Sequence, residues 1–248
     1  MNPFFNDYIA CIEANIKPDR TYDEMDFKSD PRYRSILEHV SFEQGQAYLD
    51  AIKTEFGYWF ETHKNHLIEW CKANDEVGKP VQYEYEGFSK CSPTDLRYIQ
   101  HAYLILTHMM SNKLDRDDLR VVEIGGGYGG LCFFLLRLAS LMSVNISEYR
   151  VFDLDAAVEL QKTYLDHHGI KVIPCKLGDE LPQSYLISDY ALGEMPKELQ
   201  SEYISKVVDP YCPWGFLTWN GEGTLGMDGA HRETEYPLTG DNHFIFYS

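Results

Sequence analysis

The chain has 248 residues, 44% of them hydrophobic, which suits one globular domain with an N-terminal extension. Its 39 acidic and 22 basic residues give a formal charge of −17, which opposes nucleic acid or an anionic membrane as a partner, because phosphates reward clusters of Lys and Arg. Six scattered cysteines without a Cys-x-x-Cys pair signal neither a zinc knuckle nor a disulfide framework.

The first residues, MNPFFNDYIACIEANIKPDR, lack a basic start followed by an apolar run, and the longest apolar stretch is interrupted at Arg137. No leader or membrane span is expected, and a reducing cytosol is the expected location. Residues 34 to 74 repeat apolar positions at three- and four-residue spacing (Ile36, Leu37 and Val40, then Tyr48, Ile52, Phe56 and Trp59), which predicts helix. His63 and His66 lie one helical turn apart but lack the intervening glutamate of H-E-x-x-H, so they read as surface histidines. Ser92 as N-cap, Pro93 at the first helical position and Asp95 in the first turn predict a helix ending near Lys113.

From Leu119 the pattern changes. LRVVEI, EYRVFD, IKVIPC, SYLISD and GFLTWN are short apolar runs, with helices expected over 129–142, 156–168 and 197–208. That alternation predicts a parallel sheet with crossover helices. NHFIFYS, residues 242–248, reads as a final strand with no crossover helix before it, hence antiparallel. The expected division is a helical extension or cap over residues 1–90 and an α/β domain over 91–248.

Five glycines fall within six residues of VVEIGGGYGG, between a strand and a helix. Such a turn lets a ligand approach the backbone and aims free helix N–H groups at it. Gly125, Gly127 and Gly130 fit the G-x-G-x-x-G spacing of dinucleotide sites, a weak signal alone; a tight turn serving only helix packing is the alternative, which the strand before and the helix after disfavour. Glu123, two residues before the first glycine, would attract an ammonium and repel a pyrophosphate. Asp153 ends the next strand, where an acid can take both hydroxyls of a ribose.

VVEIGGGYGG, then YRVFDLDAAVELQKTYL, then LISDYALGEMPKELQSEYI resembles the Rossmann-like, class I methyltransferases that use S-adenosylmethionine, and among them the sugar O-methyltransferases; FSKCSPTDLRYIQHAYLI is similar to the segment before their core. The resemblance spans roughly residues 90 to 248 and implies a seven-stranded, mostly parallel sheet with the last strand antiparallel and helices on both faces. It implies Glu123, Gly125, Gly126, Gly127 and Tyr128 around the methionine part of the cofactor, Asp153 on the ribose, Leu154 beside the adenine and Asp179 near the adenine amino group. Arg97 could pair with the cofactor carboxylate, or with Asp95 or solvent.

Methyl transfer to a sugar hydroxyl needs a base, on loops at the C-terminal ends of the strands. Two loops offer candidates. SDYALGEMP carries Asp189, Tyr190 and Glu194; NGEGTLGMDGAHRETEYPLTGDNH carries Asn220, Glu222, Asp228, His231, Glu233 and His243. Asp189, Glu194, His231 and His243 are the candidate bases, with His231 preferred over His243. Tyr190, Asn220 and Glu222 are candidate substrate contacts. Glu194 could instead cap the helix that begins at Pro196, and His243 could simply bond a carbonyl. A magnesium site from Glu222, Asp228 and His231 has no established ligand motif behind it, and no metal is expected. The expected activity is S-adenosylmethionine-dependent O-methylation of a small-molecule or glycan acceptor. An NAD-dependent oxidoreductase and a non-catalytic, methyltransferase-like binding subunit are the rivals.

Overall fold

The computed structural model describes residues 3–17, 20–114, 118–220 and 230–248. Its centre is one seven-stranded sheet in the order β5-β4-β3-β6-β7-β9-β8. The strands are β3 (Leu119–Ile124), β4 (Ile146–Phe152), β5 (Ile173–Pro174), β6 (Tyr185–Asp189), β7 (Trp214–Trp219), β8 (His231–Thr234) and β9 (His243–Tyr247). Strands β3 to β7 pair in parallel, β9 runs antiparallel to β7, and β8 runs antiparallel to β9. The expected α/β architecture with an antiparallel last strand is therefore present.

Strand β8 departs from the sequence reading, which placed His231 in a loop. All four of its residues, His-Arg-Glu-Thr, are exposed. An edge strand with no buried face carries no apolar alternation, so the pattern was invisible.

The central parallel strands β3, β6 and β7 bury both faces. On one, Val121, Tyr185, Ile187 and Phe216 join a core with Tyr98, Leu131, Phe133 and Tyr164; on the other, Val122, Ile124, Leu186 and Leu217 pack with Tyr203, Val207 and Trp219. The first face is covered by α4 (Pro93–Ser111), α5 (Gly130–Leu141) and α6 (Asp155–His167), the second by α7 (Ala191–Glu194) and α8 (Lys197–Tyr203), which continues through a π turn at Ile204–Val208.

The N-terminal part is helical: α1 (Pro3–Asn15), the short α2 (Pro31–Arg34) and α3 (Phe42–Asp75), followed by a small hairpin of β1 (Tyr83–Glu84) and β2 (Lys90–Cys91). Ser41 and Gln44 close a reciprocal capping box at the start of α3, and Gly57, at φ 30°, interrupts its helical path. Tyr8, Tyr33, Tyr48 and Trp70 share one continuous core with Tyr128, Phe133 and Tyr164 of the α/β part. No helix among the described residues is long and apolar enough to cross a membrane.

Helix α4 sets the geometry of the site. His108 bonds the Tyr185 hydroxyl at the start of β6 at 2.7 Å, and His101 bonds Asp189 at its end. The helix thus runs antiparallel to β6, with its first turns over the C-terminal end of the sheet.

Candidate active site

The glycine turn joins β3 to α5 with left-handed residues at Gly125 (φ 81°), Gly127 (φ 59°) and Gly129 (φ 93°). A Cβ on Gly125 would lie 2.0 Å from the Cβ of Ala191, and one on Gly127 would lie 2.7 Å from Leu37. The turn is thus enclosed by the β6–α7 connection on one side and the N-terminal segment on the other. Glycine is required here for both space and φ.

Asp153, at the end of β4, accepts hydrogen bonds from Gly127 N (3.0 Å), Leu154 N (2.8 Å) and Gln161 Nε2 (3.0 Å). Burial raises its pKa to about 6 against the pull of those three donors. A cleft of about 210 Å³ opens beside it, lined by Phe152, Val158, Pro174, Leu177 and Tyr203 among others. The cleft lies at the C-terminal ends of β4 and β5, and the C-terminal ends of the strands are where open α/β sheets take ligands. Leu154 is half-buried at the N-cap of α6. Asp179 is exposed and occupied in its own turn, accepting from Lys176 N at 2.8 Å; it does not line the cleft.

Two expected cofactor contacts have other surroundings. Glu123 is buried beneath the turn, where a Cβ on Gly126 would meet its Oε2 at 2.8 Å, and it accepts from the Tyr149 hydroxyl at 2.9 Å. Burial pushes its carboxyl up to about 8, so at neutral pH it is mostly protonated and braces the turn from below instead of presenting a negative charge. Tyr128 points away from the cleft. Its ring packs against Phe27, Tyr98 and Tyr164, its hydroxyl bonds Asn74, and the Lys28 ammonium lies 4.4 Å from the ring centroid.

Arg97 is buried, donates to the Leu37 carbonyl at 3.1 Å and stacks over Tyr98 and Tyr190, while its Nε has no hydrogen-bond partner. The alternative pairing with Asp95 is not made: Asp95 bonds Asn74 instead. Burial opposes the Arg97 charge, but Tyr190, Tyr98, Tyr48 and Asp189 hold its pKa above the ordinary value. Leu37 covers Gly127, and Tyr190 precedes the Ala191 that covers Gly125, so this guanidinium sits directly behind the enclosed turn.

Beyond it Asp189, one of the candidate bases, pairs with a residue the sequence reading missed, His101. His101 Nδ1 lies 3.1 Å from both oxygens of Asp189, which also accepts from Thr218 Oγ1. The opposite nitrogen, Nε2, is buried without a partner, among Tyr48, Tyr190, Phe216 and Phe244. Although burial works to raise it, the Asp189 carboxyl is held below its ordinary pKa by His101, Arg97 and Thr218. A carboxylate on Nδ1 fixes the tautomer and leaves Nε2 as an acceptor of protons. One signal was available in the sequence: Arg97, Gln100 and His101 stand three and four residues apart and so share one face of the helix.

Tyr190 has a left-handed backbone (φ 68°), unusual for a bulky residue, and its hydroxyl bonds Glu235. Glu235 is itself buried, held by Thr239 and Asn242 in the turn between β8 and β9. Glu194 and Asn220 meet at the rim, Asn220 Nδ2 donating to Glu194 Oε1 at 2.6 Å. His243 starts β9 opposite Trp219.

His231 does not join them. It pairs with Phe246, which pairs with Phe216 in the middle of β7, so what separates it from the turn is its place on the outer edge strand of the sheet. It is four strand positions from β3, roughly 19 Å at ordinary strand spacing. Exposed, and bonded to Glu233 at 2.7 Å, it has no route to the turn. Glu222 and Asp228 lie outside the described residues.

No family model matches the chain, and no curated protein matches it. Among solved structures, a Thermoplasma acidophilum protein is 15% identical over 74% of this chain and 95% of its own, with a TM-score of 0.43. The S-adenosylmethionine-dependent methyltransferase SibL is 12% identical over 81% of this chain and 72% of its own, with a TM-score of 0.40. A SAM-dependent methyltransferase from Aquifex aeolicus is 13% identical over 58% of this chain and 89% of its own, with a TM-score of 0.38. With likeness this distant, the chemistry of the site rests on its own residues.

Proposed function

We propose that the protein transfers a methyl group from S-adenosylmethionine to a hydroxyl of a small sugar or glycan acceptor. The observation that carries this reading is the placement of a strand-end carboxylate and a buried guanidinium, hydrogen-bonded to the Leu37 carbonyl and with an unpartnered Nε, around one glycine turn. Asp153 beside the cleft suits a ribose, and Arg97 suits the carboxylate of an amino-acid tail. A dinucleotide fits less well. The Gly127 N–H that a pyrophosphate would use already points at Asp153, and Asp189 adds a further negative charge nearby.

Bound S-adenosylmethionine supplies an activated methyl on a sulfonium centre. The chain then has to exclude water, align an acceptor oxygen and remove its proton. In this reading His101 Nε2 takes that proton while Asp189 stabilises the imidazolium, and Tyr48 of α3 shields the pair. Sugar as the acceptor follows from the sequence resemblance alone.

Calorimetry with S-adenosylmethionine and with NAD tests the cofactor, and mass spectrometry of products from a panel of nucleotide sugars and terminal glycans tests the acceptor. Tight NAD binding with no S-adenosylmethionine binding would overturn the reading. Cofactor binding without any methylated product would favour the non-catalytic subunit.

A further inference from the structure

Away from the cleft, two segments with the same spacing meet in the core. CKAND, residues 71–75, ends α3, and CSPTD, residues 91–95, joins β2 to α4. Each places a cysteine four residues before an aspartate. The donor atoms of Cys71, Cys91 and Asp95 lie within 4.8 Å of one another, and all three side chains are fully buried.

The carboxylates are prepared in a particular way. Asp75 Oδ2 accepts from Ser92 N and Gln82 Nε2, while its Oδ1 is buried without a partner. Asp95 Oδ1 accepts from Asn74 Nδ2, while its Oδ2 is likewise buried without a partner. The two carboxyls are within hydrogen-bonding reach of each other, as are the two thiols. One oxygen of each acid is thus oriented by an outer amide, as in the second shell of metal ligands, and the other is left over. Lys28, the cation of this core, donates to Asn74 Oδ1 and to its carbonyl, not to either aspartate. The partner open to these two buried oxygens is a proton shared between the acids, and a bound cation would take its place.

We propose that Cys71, Cys91 and Asp95, with Asp75 as the fourth donor, bind one zinc-class divalent ion that ties the end of α3 to the start of α4. Two thiolates and two carboxylate oxygens make a tetrahedral set for a borderline-soft cation. Bonds of about 2.3 Å to sulfur and 2.0 Å to oxygen put ligand atoms about 3.3–3.8 Å apart, so Cys71, Cys91 and Asp95 need contract by only about 1 Å, and Asp75 would have to turn its unpartnered Oδ1 toward them. Each thiol gives its proton to solvent on binding, as does any proton shared by the carboxyls, so uptake releases acid. The sequence concealed the set because its halves are 20 residues apart and neither is Cys-x-x-Cys. The site is structural and stands apart from the methyl-transfer reading.

The test is metal analysis of the full chain purified from zinc-supplied cells, followed by replacement with cobalt(II). The expected result is about one zinc per chain, with sulfur-to-cobalt charge-transfer bands and tetrahedral d–d bands after exchange. Cys71→Ser and Cys91→Ser should each lower the zinc content at least tenfold, with Cys212→Ser unchanged. Metal-free wild-type protein without cobalt bands overturns the proposal, and this readout does not depend on a variant folding. A Cys71–Cys91 disulfide seen by mass spectrometry, or zinc retained by the Cys71→Ser, Cys91→Ser double variant, overturns it equally.

Discussion

Lowering the pH from 7 to 5 should weaken cofactor binding through Asp153 while leaving the protein folded. The carboxyl has its pKa raised by burial from 3.8 to about 6, and only its ionised form can accept from both ribose hydroxyls. If binding selects that form, the apparent Kd rises by a factor of 1 plus ten to the power of pKa minus pH. At pH 5 this is about elevenfold, or about 1.4 kcal/mol. The effect on folding has the opposite sign. A carboxyl whose pKa is higher in the folded state than in the unfolded state holds its proton preferentially when folded, so between pH 3.8 and about 6 protonation of Asp153 favours the fold. Loss of binding at pH 5 is therefore not unfolding through this group. Calorimetry with S-adenosylhomocysteine at pH 5, 6, 7 and 8, at constant ionic strength, reads the profile. Asp153→Asn should bind about 10- to 100-fold more weakly at pH 7, the cost of one hydrogen bond to a charged group, and its profile from pH 5 to 7 should be flat. A wild-type profile flat over that range, or an equally steep profile in Asp153→Asn, refutes the assignment.

His101→Gln should keep cofactor affinity and lower kcat by about 10² to 10⁴, whereas His231→Ala on the far edge of the sheet should change neither; steady-state kinetics of the two variants side by side decides between them. Glu123 has its pKa raised from 4.5 to about 8, so it favours the fold below pH 4.5 and that contribution fades as the pH rises through about 8. Urea unfolding from pH 5 to 8 should therefore show a steeper decline in wild type than in Glu123→Gln, and equal slopes would contradict the buried, protonated state. Gly125→Ala should cost about 1–3 kcal/mol in thermal or urea unfolding and abolish cofactor binding, since it forces a side chain into a left-handed residue 2.0 Å from the Ala191 Cβ.

Much of the fold was legible because its signals are local. The apolar runs of β3, β4, β6 and β7, the Ser92–Pro93 helix start and the glycine turn each carry their own period or backbone requirement. Asp153 was legible for the same reason, since the end of a strand after a glycine turn is a fixed place in this topology. Strand β8 was not, because an exposed edge has no face to bury. His231 was misplaced with it: a histidine among glycines gives no hint of which strand it will join.

What the sequence determined by itself was the alternation of strands and helices, the turn that only glycine can make, and the acid that follows it. Which polar groups meet was decided by tertiary structure. Glu123 and Asp153 are both acids at strand ends, yet one is sealed under the turn against Tyr149 and the other borders the cleft. His101 reads as one more residue of a helix until α4 lies antiparallel to β6 and brings Asp189 to its Nδ1. The two Cys-x-x-x-Asp segments likewise become one cluster only when α3 packs on α4. Secondary structure follows from short-range periodicity, but a site is a set of contacts between residues far apart in the chain, and their proximity is fixed by how the helices pack on the sheet.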